Sequence, residues 1–176
     1  MDIDRAVAAA LGFPKAEYAA IERERRWLCR EVPRSLIRET VEVTDVYVSG
    51  ARLRLREMRP LGGGPGLLKL TRKADLDAHT RLITSIYLAE EEFALLAAAL
   101  PGARLKKLRH RLHAVSGVAV SVDEFQGELA GLVLAEAECA TDEELAAQPS
   151  PPFALREVTT EREYTGGWLA QHGRPG

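Results

Sequence analysis

The sequence predicts one domain of the α+β class, a β-barrel with flanking helices, and three observations lead to that prediction. The chain has 176 residues, which is the size of one domain and is enough to bury a single core. Apolar and charged residues alternate along several segments, as they do in strands that bury one face. The charged faces of these segments each carry one sign, and a closed barrel with a charged interior and an apolar outer wall would suit them.

Composition and charge exclude several classes of protein. Apolar residues make up 46% of the chain and charged residues 28%, which excludes general disorder. The 24 basic and 26 acidic residues leave a net charge of −2, which argues against binding nucleic acid or a membrane surface through bulk charge. The 2 cysteines are too few for a disulfide framework, and no apolar run is long enough to span a bilayer. We expect a cytoplasmic protein with neither a membrane nor a nucleic-acid partner.

The small net charge hides long blocks of one sign. Between Arg52 and Lys73 there are seven basic residues and one acid, and between Arg104 and Arg111 there are five basic residues and no acid. No lysine or arginine lies between Arg111 and Arg156, where eight acids accumulate. Globular surfaces usually mix the two signs, so the pattern within each block must decide its role.

Charged residues recur at every second position within these blocks, which is the period of a strand. Residues 51–56 place three arginines on one face and two leucines on the other. Residues 68–73 and 105–112 repeat this pattern with lysine and arginine, and residues 133–139 repeat it with glutamate. Residues 21–27 fit a strand with two glutamates and an arginine on one side, although their composition also suits a helix.

Two interpretations of these charged faces are open. A sheet with its core on one side and water on the other would show the same alternation. Arginines spaced two apart repel one another, however, and neighbouring basic strands increase the repulsion. A polyanion would relieve that repulsion, and nearby glutamate pairs could hold a divalent metal ion that bridges to the anion. We therefore favour a polyanion site.

The remaining elements follow from apolar periodicity and from the positions of glycine and proline. The predicted helices cover residues 2–11, 33–38, 90–100, 141–148 and 164–170. The predicted strands cover residues 21–29, 40–48, 51–56, 68–73, 82–88, 105–112, 118–125 and 132–139. Residues 1–176 form one domain, of which residues 1–20 are a helical extension. Residues 61–66 are a glycine-rich hairpin loop, because the Gly-Lys-Ser/Thr ending of a phosphate-binding loop is missing. In the helix at 90–100 the expected buried stripe is Phe93, Leu96, Ala97 and Leu100.

Several segments form an ordered set of short motifs. In chain order they are Glu22-Arg23-Glu24-Arg25-Arg26, Arg52-Leu53-Arg54, Lys69 to Lys73, Lys107-Leu108-Arg109, Val122 to Leu132, Glu136-Ala137-Glu138 and Glu157 to Tyr164. This set resembles the CYTH family, also called the triphosphate tunnel metalloenzymes, from about Glu22 to Ala170. Each motif alone is weak, but their order makes the resemblance specific.

The resemblance implies an eight-stranded antiparallel barrel whose interior, the tunnel, binds a triphosphate together with Mg²⁺ or Mn²⁺. The metal would be held by Glu22, Glu24, Glu136 and Glu138, with Asp123 as an auxiliary acid. The phosphates would be bound by Arg26, Arg52, Arg54, Lys69, Lys73, Lys107 and Arg109. Arg56 shares the relevant face. Lys107 would be the general base, since the family has a proposed base at a tunnel lysine and neighbouring arginines could lower the pKa of this one.

The resemblance therefore implies a metal-dependent triphosphatase, with inorganic tripolyphosphate as the first expected substrate. Such a reaction needs charge neutralisation and in-line positioning more than covalent help. One alternative is a class IV adenylate cyclase, in which a ribose hydroxyl would replace the attacking water. The other is a protein that binds polyphosphate or a nucleotide without turnover. Arg26 favours this last alternative, because it stands where the family motif has lysine and arginine cannot act as a base at neutral pH.

Overall fold

A computed structural model describes residues 4–114 and 119–176 and contains nine strands and four α-helices in these ranges. The strands are β1 (Ala20–Cys29), β2 (Ile37–Val48), β3 (Leu53–Pro60), β4 (Leu67–Asp75), β5 (Thr80–Tyr87), β6 (Gly102–Leu112), β7 (Val120–Phe125), β8 (Val133–Cys139) and β9 (Ala154–Glu157). The helices are α1 (Arg5–Ala10), α2 (Glu90–Ala99), α3 (Asp142–Ala147) and α4 (Gly166–His172).

Eight of the strands close into an antiparallel barrel. Their order around the barrel is β1, β5, β4, β3, β2, β6, β7 and β8, and β8 then pairs with β1. Strand β1 closes the ring because residues 20–23 pair with β5, while residues 23–28 pair with β8 on the other side. The predicted eight-stranded antiparallel barrel is confirmed. Strand β9 was not predicted, and it pairs with residues 27–29 of β1, beyond the end of β5.

The alternation along β1 separates the inside of the barrel from the outside. The inward residues are Glu22, Glu24 and Arg26, which line the central cavity. Arg23 and Arg25 point outward, where Arg23 donates to Asp142 of α3 at 2.6 Å and Arg25 binds Glu157 of β9. Residues 21–27 are therefore a strand, and the helical alternative is wrong.

The outer wall of the barrel carries one hydrophobic core. Trp27, Val122 and Ala135 are fully buried in it, and Leu36 and Phe153 pack against it from outside the sheet. This covering explains why Trp27 of β1, Val122 of β7 and Ala135 of β8, which point outward, are apolar in sequence. The inward faces of β1 and β8 carry the glutamates that line the cavity.

A second core fills one end of the barrel from inside. Leu105, Phe125 and Leu134 contribute to it from the strands, and Leu169 of α4 packs among them. All four side chains are buried, so α4 covers this end, which we call the apolar end. The opposite end, where β1 begins near Glu22, keeps its charged side chains.

Several helices differ from their predictions. The helical turn predicted over residues 33–38 is a single 3₁₀ turn at Arg34–Leu36, and residues 37 and 38 belong to β2. Helix α1 begins at Arg5 because the carboxylate of Asp4 accepts the Ala6 amide at 2.7 Å and caps the helix. Residues 2 and 3 of the predicted helix, and residue 118 of a predicted strand, lie outside the described residues. Helix α2 forms where predicted, but its expected stripe is only half-buried, because α2 packs chiefly against β4. Among the described helices, none is long and apolar enough to cross a membrane.

Candidate functional site

The barrel interior contains a cavity of about 630 Å³ whose lining is mostly charged. Its basic lining residues are Arg26, Arg54, Arg56, Lys69, Lys73, Arg81, Lys107, Arg109 and Arg162. Its acidic lining residues are Glu22, Glu24, Asp75, Glu136 and Glu138. All of the predicted site residues except Arg52 and Asp123 therefore meet in one cavity.

Arg52 and Asp123 lie elsewhere. Arg52 is exposed in the bend before β3 and does not line the cavity, whereas Arg56 does. Asp123 is 1% exposed and lies behind the lining. Both of its oxygens accept from Arg109, each at 2.7 Å, and it also accepts from the Lys107 ammonium. In this arrangement Asp123 positions two basic side chains.

The basic face of the cavity is built on β3 and is held by one aspartate of β2. Asp45 pairs in register with Arg56, which donates to both of its carboxylate oxygens at 2.7 Å. Nε of Arg54 lies 3.6 Å from the same carboxylate. Burial opposes ionisation of Asp45, which has no exposed surface, but Arg56 and Arg54 outweigh it and hold the pKa of Asp45 well below its ordinary value. Asp45 therefore reduces the repulsion between the two arginines.

Sequence analysis missed Asp45 and Arg81. The available signal for Asp45 was an aspartate at an inward position of a valine-rich strand. Arg81 precedes the strand predicted at 82–88, yet it lines the cavity and binds Glu24. It also donates to Asp75 at 2.8 Å. Arg81 thus joins the acidic side of the cavity to the end of β4.

The acidic face is formed by β1 and β8, which pair in a register that places Glu24 opposite Glu138 and Arg26 opposite Glu136. Most of its carboxylates have basic partners. Glu24 binds the guanidinium of Arg26, and Glu136 lies 3.4 Å from Nε of the same arginine. Glu136 also accepts from Arg109 at 2.5 Å.

Glu22 completes this acidic face. It binds the Lys73 ammonium and lies 3.7 Å from Arg81. Burial opposes ionisation of Glu22, but Lys73 and Arg81 lower the pKa of this carboxyl below its ordinary value. Glu22 is therefore charged at neutral pH and is already compensated.

Glu138 differs from its neighbours, because within the described residues it has no hydrogen bond or salt bridge. Glu138 is partly exposed, and partial loss of hydration, together with the charges of Glu22 and Glu24, raises its pKa above the ordinary value. Like charges that face each other across a strand pair are unfavourable unless a cation lies between them. The oxygen donors of Glu24 and Glu138 therefore fit a hard divalent cation such as Mg²⁺.

Only one or two carboxylates of the cavity are available to bind one metal ion. In the part of the chain that the structure describes, no three acid, histidine or cysteine side chains are arranged to hold one ion. The reason is that Glu22, Glu24 and Glu136 are turned toward basic partners. Magnesium is commonly bound by one or two carboxylates together with water and phosphate oxygens, which is the arrangement that Glu138 and Glu24 allow.

Three lysines of the cavity differ in their partners. Lys107 is buried, which lowers its pKa, but Asp123 binds its ammonium and opposes that shift. Lys73 is held by Glu22. Lys69 lacks a carboxylate partner among the described residues. Burial, with the charges of Arg56 and Arg54, lowers its pKa to about 8.

Two buried donors of the lining have no hydrogen-bond acceptor in the described part of the chain. They are Nη1 of Arg26 and Nε of Arg54. Buried donors are almost always paired in proteins, so an unpaired donor in a cavity wall calls for a ligand or water. Both belong to side chains that line the cavity, which fits an anion with several oxygens.

The chain is similar to known proteins in its fold. No family model and no curated protein matches the sequence. The inorganic triphosphatase NE1496 superposes with a TM-score of 0.56 at 23% identity, over 85% of this chain and 93% of that one. The chain has the triphosphate tunnel fold.

Two archaeal structures share this fold. The PH1819 protein from Pyrococcus horikoshii OT3 has a TM-score of 0.55 and 21% identity, over 72% of this chain and 82% of that one. The conserved hypothetical protein Pfu-838710-001 from Pyrococcus furiosus has a TM-score of 0.52 and 17% identity, over 72% and 84%. The charged cavity described above fills the interior of this barrel, and we call it the tunnel.

The apolar end of the tunnel has a different lining from the charged faces. Tyr164, Trp168, Gln171 and His172 line it from the C-terminal region. The rings of Trp168 and His172 are stacked, with centroids 4.6 Å apart. Trp168 packs against the second core and also lines the tunnel.

Proposed function

We propose that the chain is a metal-dependent triphosphatase that acts on phosphoric anhydride bonds, with inorganic tripolyphosphate as the first substrate to test. The single observation that supports this most is the division of one cavity into a basic face and an acidic face. A linear triphosphate is highly charged, and its hydrolysis depends on neutralisation and positioning. Basic side chains on one side and metal-binding carboxylates on the other supply both.

The basic face would bind the phosphate chain. Arg54 and Arg56 extend from one face of β3, and Lys69 lies opposite Arg56 in register on β4. Guanidinium groups bind phosphate oxygens in pairs, and Nε of Arg54 has no other acceptor among the described residues. Lys73, Lys107, Arg109 and Arg26 would complete the set from the adjoining strands. The fold shared with the inorganic triphosphatase NE1496 supports this assignment.

The acidic face would hold Mg²⁺ or Mn²⁺ through Glu138 and Glu24, with Glu22 and Glu136 beside them. When bound, such an ion stabilises the negative charge that develops on the phosphates. The bound cation would stabilise the charged form of Glu138 most, because it would offset the negative charges of Glu22 and Glu24 that raise the pKa of Glu138. If Glu24 and Glu136 bound the metal, Arg26 would lose both of its carboxylate partners and could bind phosphate. Arg109 would lose Glu136 but would still be held by Asp123.

Hydrolysis requires a water, a leaving group and a proton acceptor. The water oxygen attacks the terminal phosphorus, and the bond from that phosphorus to the bridging oxygen breaks. Tripolyphosphate then yields orthophosphate and pyrophosphate, and the proton of the water passes to a lysine amine. Lys107 is the base that the resemblance implies. Lys69 is a second candidate, because it has no carboxylate to hold its proton among the described residues and its pKa is about 8.

Phosphate release from tripolyphosphate, ATP, GTP and thiamine triphosphate tests the proposal, with Mg²⁺, Mn²⁺ or EDTA present. We expect metal-dependent release from tripolyphosphate that Glu136→Ala abolishes. Glu128→Gln, an exposed acid outside the tunnel, is the matched control and should keep full activity. Cyclic AMP formation from ATP would instead identify a cyclase. Tight tripolyphosphate binding without turnover would identify a binding protein and would contradict the enzymatic proposal.

A further inference from the structure

Helix α4 presents a polar aromatic surface to the tunnel. Leu169 is buried in the apolar end, which fixes the rotation of the helix. Trp168, Gln171 and His172 are three and four residues apart and line the cavity together. The planes of the two stacked rings are 21° apart. We call these three residues the α4 wall.

The α4 wall has donors and acceptors that the protein does not use. Nδ1 of His172 is 3.0 Å from the backbone oxygen of Trp168. Because that oxygen can only accept, Nδ1 carries the proton and Nε2 is left as an acceptor in the neutral ring. The side-chain amide of Gln171 makes no hydrogen bond within the described residues, and it is exposed.

This chemistry differs from that of a phosphate site. The indole N–H and the Gln171 amide can each donate to a phosphate oxygen, but neither carries the positive charge that offsets a chain of phosphates. An indole and an amide also suit a flat heteroaromatic ring, whose face stacks on an aromatic side chain and whose edge carries donors and acceptors. An inorganic triphosphate has no flat ring to stack on the indole.

The α4 wall adjoins the basic face through Tyr47. Gly166, the first residue of α4, lies so close to Tyr47 that a Cβ at this position would overlap the tyrosine hydroxyl. Tyr47 pairs in register with Arg54. With a rise of about 1.5 Å per residue, Trp168 lies roughly 3 Å and His172 roughly 9 Å along the helix from that contact.

The cavity is also large enough for a ligand that is longer than an inorganic triphosphate. At about 630 Å³ it lies within the range of roughly 300–1,000 Å³ that is usual for sites of organic ligands. A ligand that spans from Arg54 to Trp168 would therefore occupy one continuous space.

We propose that the α4 wall binds the heteroaromatic group of an organic triphosphate, such as a nucleobase, by stacking on Trp168. Gln171 and Nε2 of His172 contact the polar edge of the ring, while the triphosphate lies against Arg54 and Arg56. This inference rests on the proposed function, because it requires the phosphates to lie in the tunnel. It adds the residues of this chain that would bind the base of such a triphosphate.

Tryptophan fluorescence tests the stacking directly. The chain has two tryptophans: Trp27 is fully buried on the outer wall, whereas Trp168 lines the tunnel. An ATP analogue with an imido bridge between its last two phosphates should quench the fluorescence of the wild-type protein. Trp168→Phe should lose most of that quenching. Tripolyphosphate should cause a smaller change in both proteins. Equal quenching by the analogue with and without Trp168 would overturn the proposal.

Steady-state kinetics provide an independent measurement. Trp168→Ala should raise KM for ATP roughly 5- to 150-fold, the usual loss of one stacked base, and should change KM for tripolyphosphate less than about twofold. Tyr18→Ala removes an exposed aromatic residue that does not line the tunnel and is the matched control. An equal rise in KM for both substrates would show that Trp168 only stabilises the apolar end of the barrel, and it would overturn the stacking site. Absence of turnover with every triphosphate would refute the proposed function, and the fluorescence titration would still decide the binding site.

Discussion

The two charged faces of the tunnel balance their charges in different ways. On the basic face, Arg54 and Arg56 share one fully buried counter-charge, Asp45, and Lys69 adds a charge that no described carboxylate offsets. On the acidic face, most carboxylates already bind an arginine or a lysine, and Glu138 is the exception among the described residues. The basic face is thus prepared for an anion, whereas the acidic face must exchange partners to take a metal ion.

The largest effect should come from removing the buried counter-charge of the basic face. Asp45→Ala leaves Arg54 and Arg56 beside each other without a carboxylate. Breaking a buried ion pair in this way costs about 3–5 kcal/mol. We expect a loss of that size in the free energy of unfolding, measured by urea denaturation.

Asp75→Ala is the matched control for this stability measurement. The side chain of Asp75 is 75% exposed and binds Arg81, and an exposed pair contributes at most about 1 kcal/mol. If the two variants lose equal stability, Asp45 is not the residue that holds the basic face together.

The next effect distinguishes two arginines that fit the same sequence motif. Arg54→Ala removes a lining guanidinium, and the loss of one charge-assisted contact of about 1.5–3 kcal/mol corresponds to a roughly 10- to 150-fold fall in kcat/KM for tripolyphosphate. Arg52→Ala should change kcat/KM less than about twofold, because Arg52 is exposed outside the cavity. A larger loss for Arg52→Ala would show that Arg52, and not the Arg54–Arg56 pair, binds the substrate.

This arginine pair also shows how far the sequence could lead. Alternation correctly assigned the inward faces of β1, β4, β6 and β8, since a strand has a fixed period of two. Alternation could not show whether Arg52 and Arg54, or Arg54 and Arg56, are the two arginines that line the cavity. The choice depends on where β3 begins after the turn at Gly50, which adopts a φ of +73°.

Other parts of the site depend on contacts that periodicity does not encode. Asp123 lies behind the lining because β6 and β7 pair in a register that places it opposite Arg109. Strand β9 has only four residues and forms because β1 extends past β5. The α4 wall depends on how Leu169 docks into the apolar end, a contact with strands far away in the chain.

A smaller and pH-dependent effect separates the two lysine candidates for the base. If Lys69 accepts the proton, kcat rises as pH increases through about 8, because the fraction of neutral amine rises there. Lys69→Arg keeps the positive charge and should lose this rise. The Asp123-bound Lys107 would instead be the base if the rise survives in Lys69→Arg and is lost in Lys107→Arg.

The same lysine affects stability in a definite direction. Its pKa is lower in the folded chain than the ordinary value of 10.5, so between about pH 8 and 10.5 the unfolded chain binds more protons. The contribution of Lys69 to the free energy of unfolding therefore increases with pH across this window. In Lys69→Met, the increase measured by urea denaturation should be smaller than in the wild type; an identical pH dependence would show that Lys69 titrates normally.

The contrast between the faces is tested most directly by calorimetric titration of tripolyphosphate at increasing Mg²⁺ concentration, under conditions in which turnover is slow. The wild-type protein should bind tripolyphosphate without Mg²⁺ through the basic face, and its affinity should increase when Mg²⁺ is added. Glu138→Gln should keep the metal-free affinity and lose most of the increase. Binding that is absent without Mg²⁺, or that strengthens equally in Glu138→Gln, would contradict the division of the tunnel into an anion-binding face and a metal-binding face.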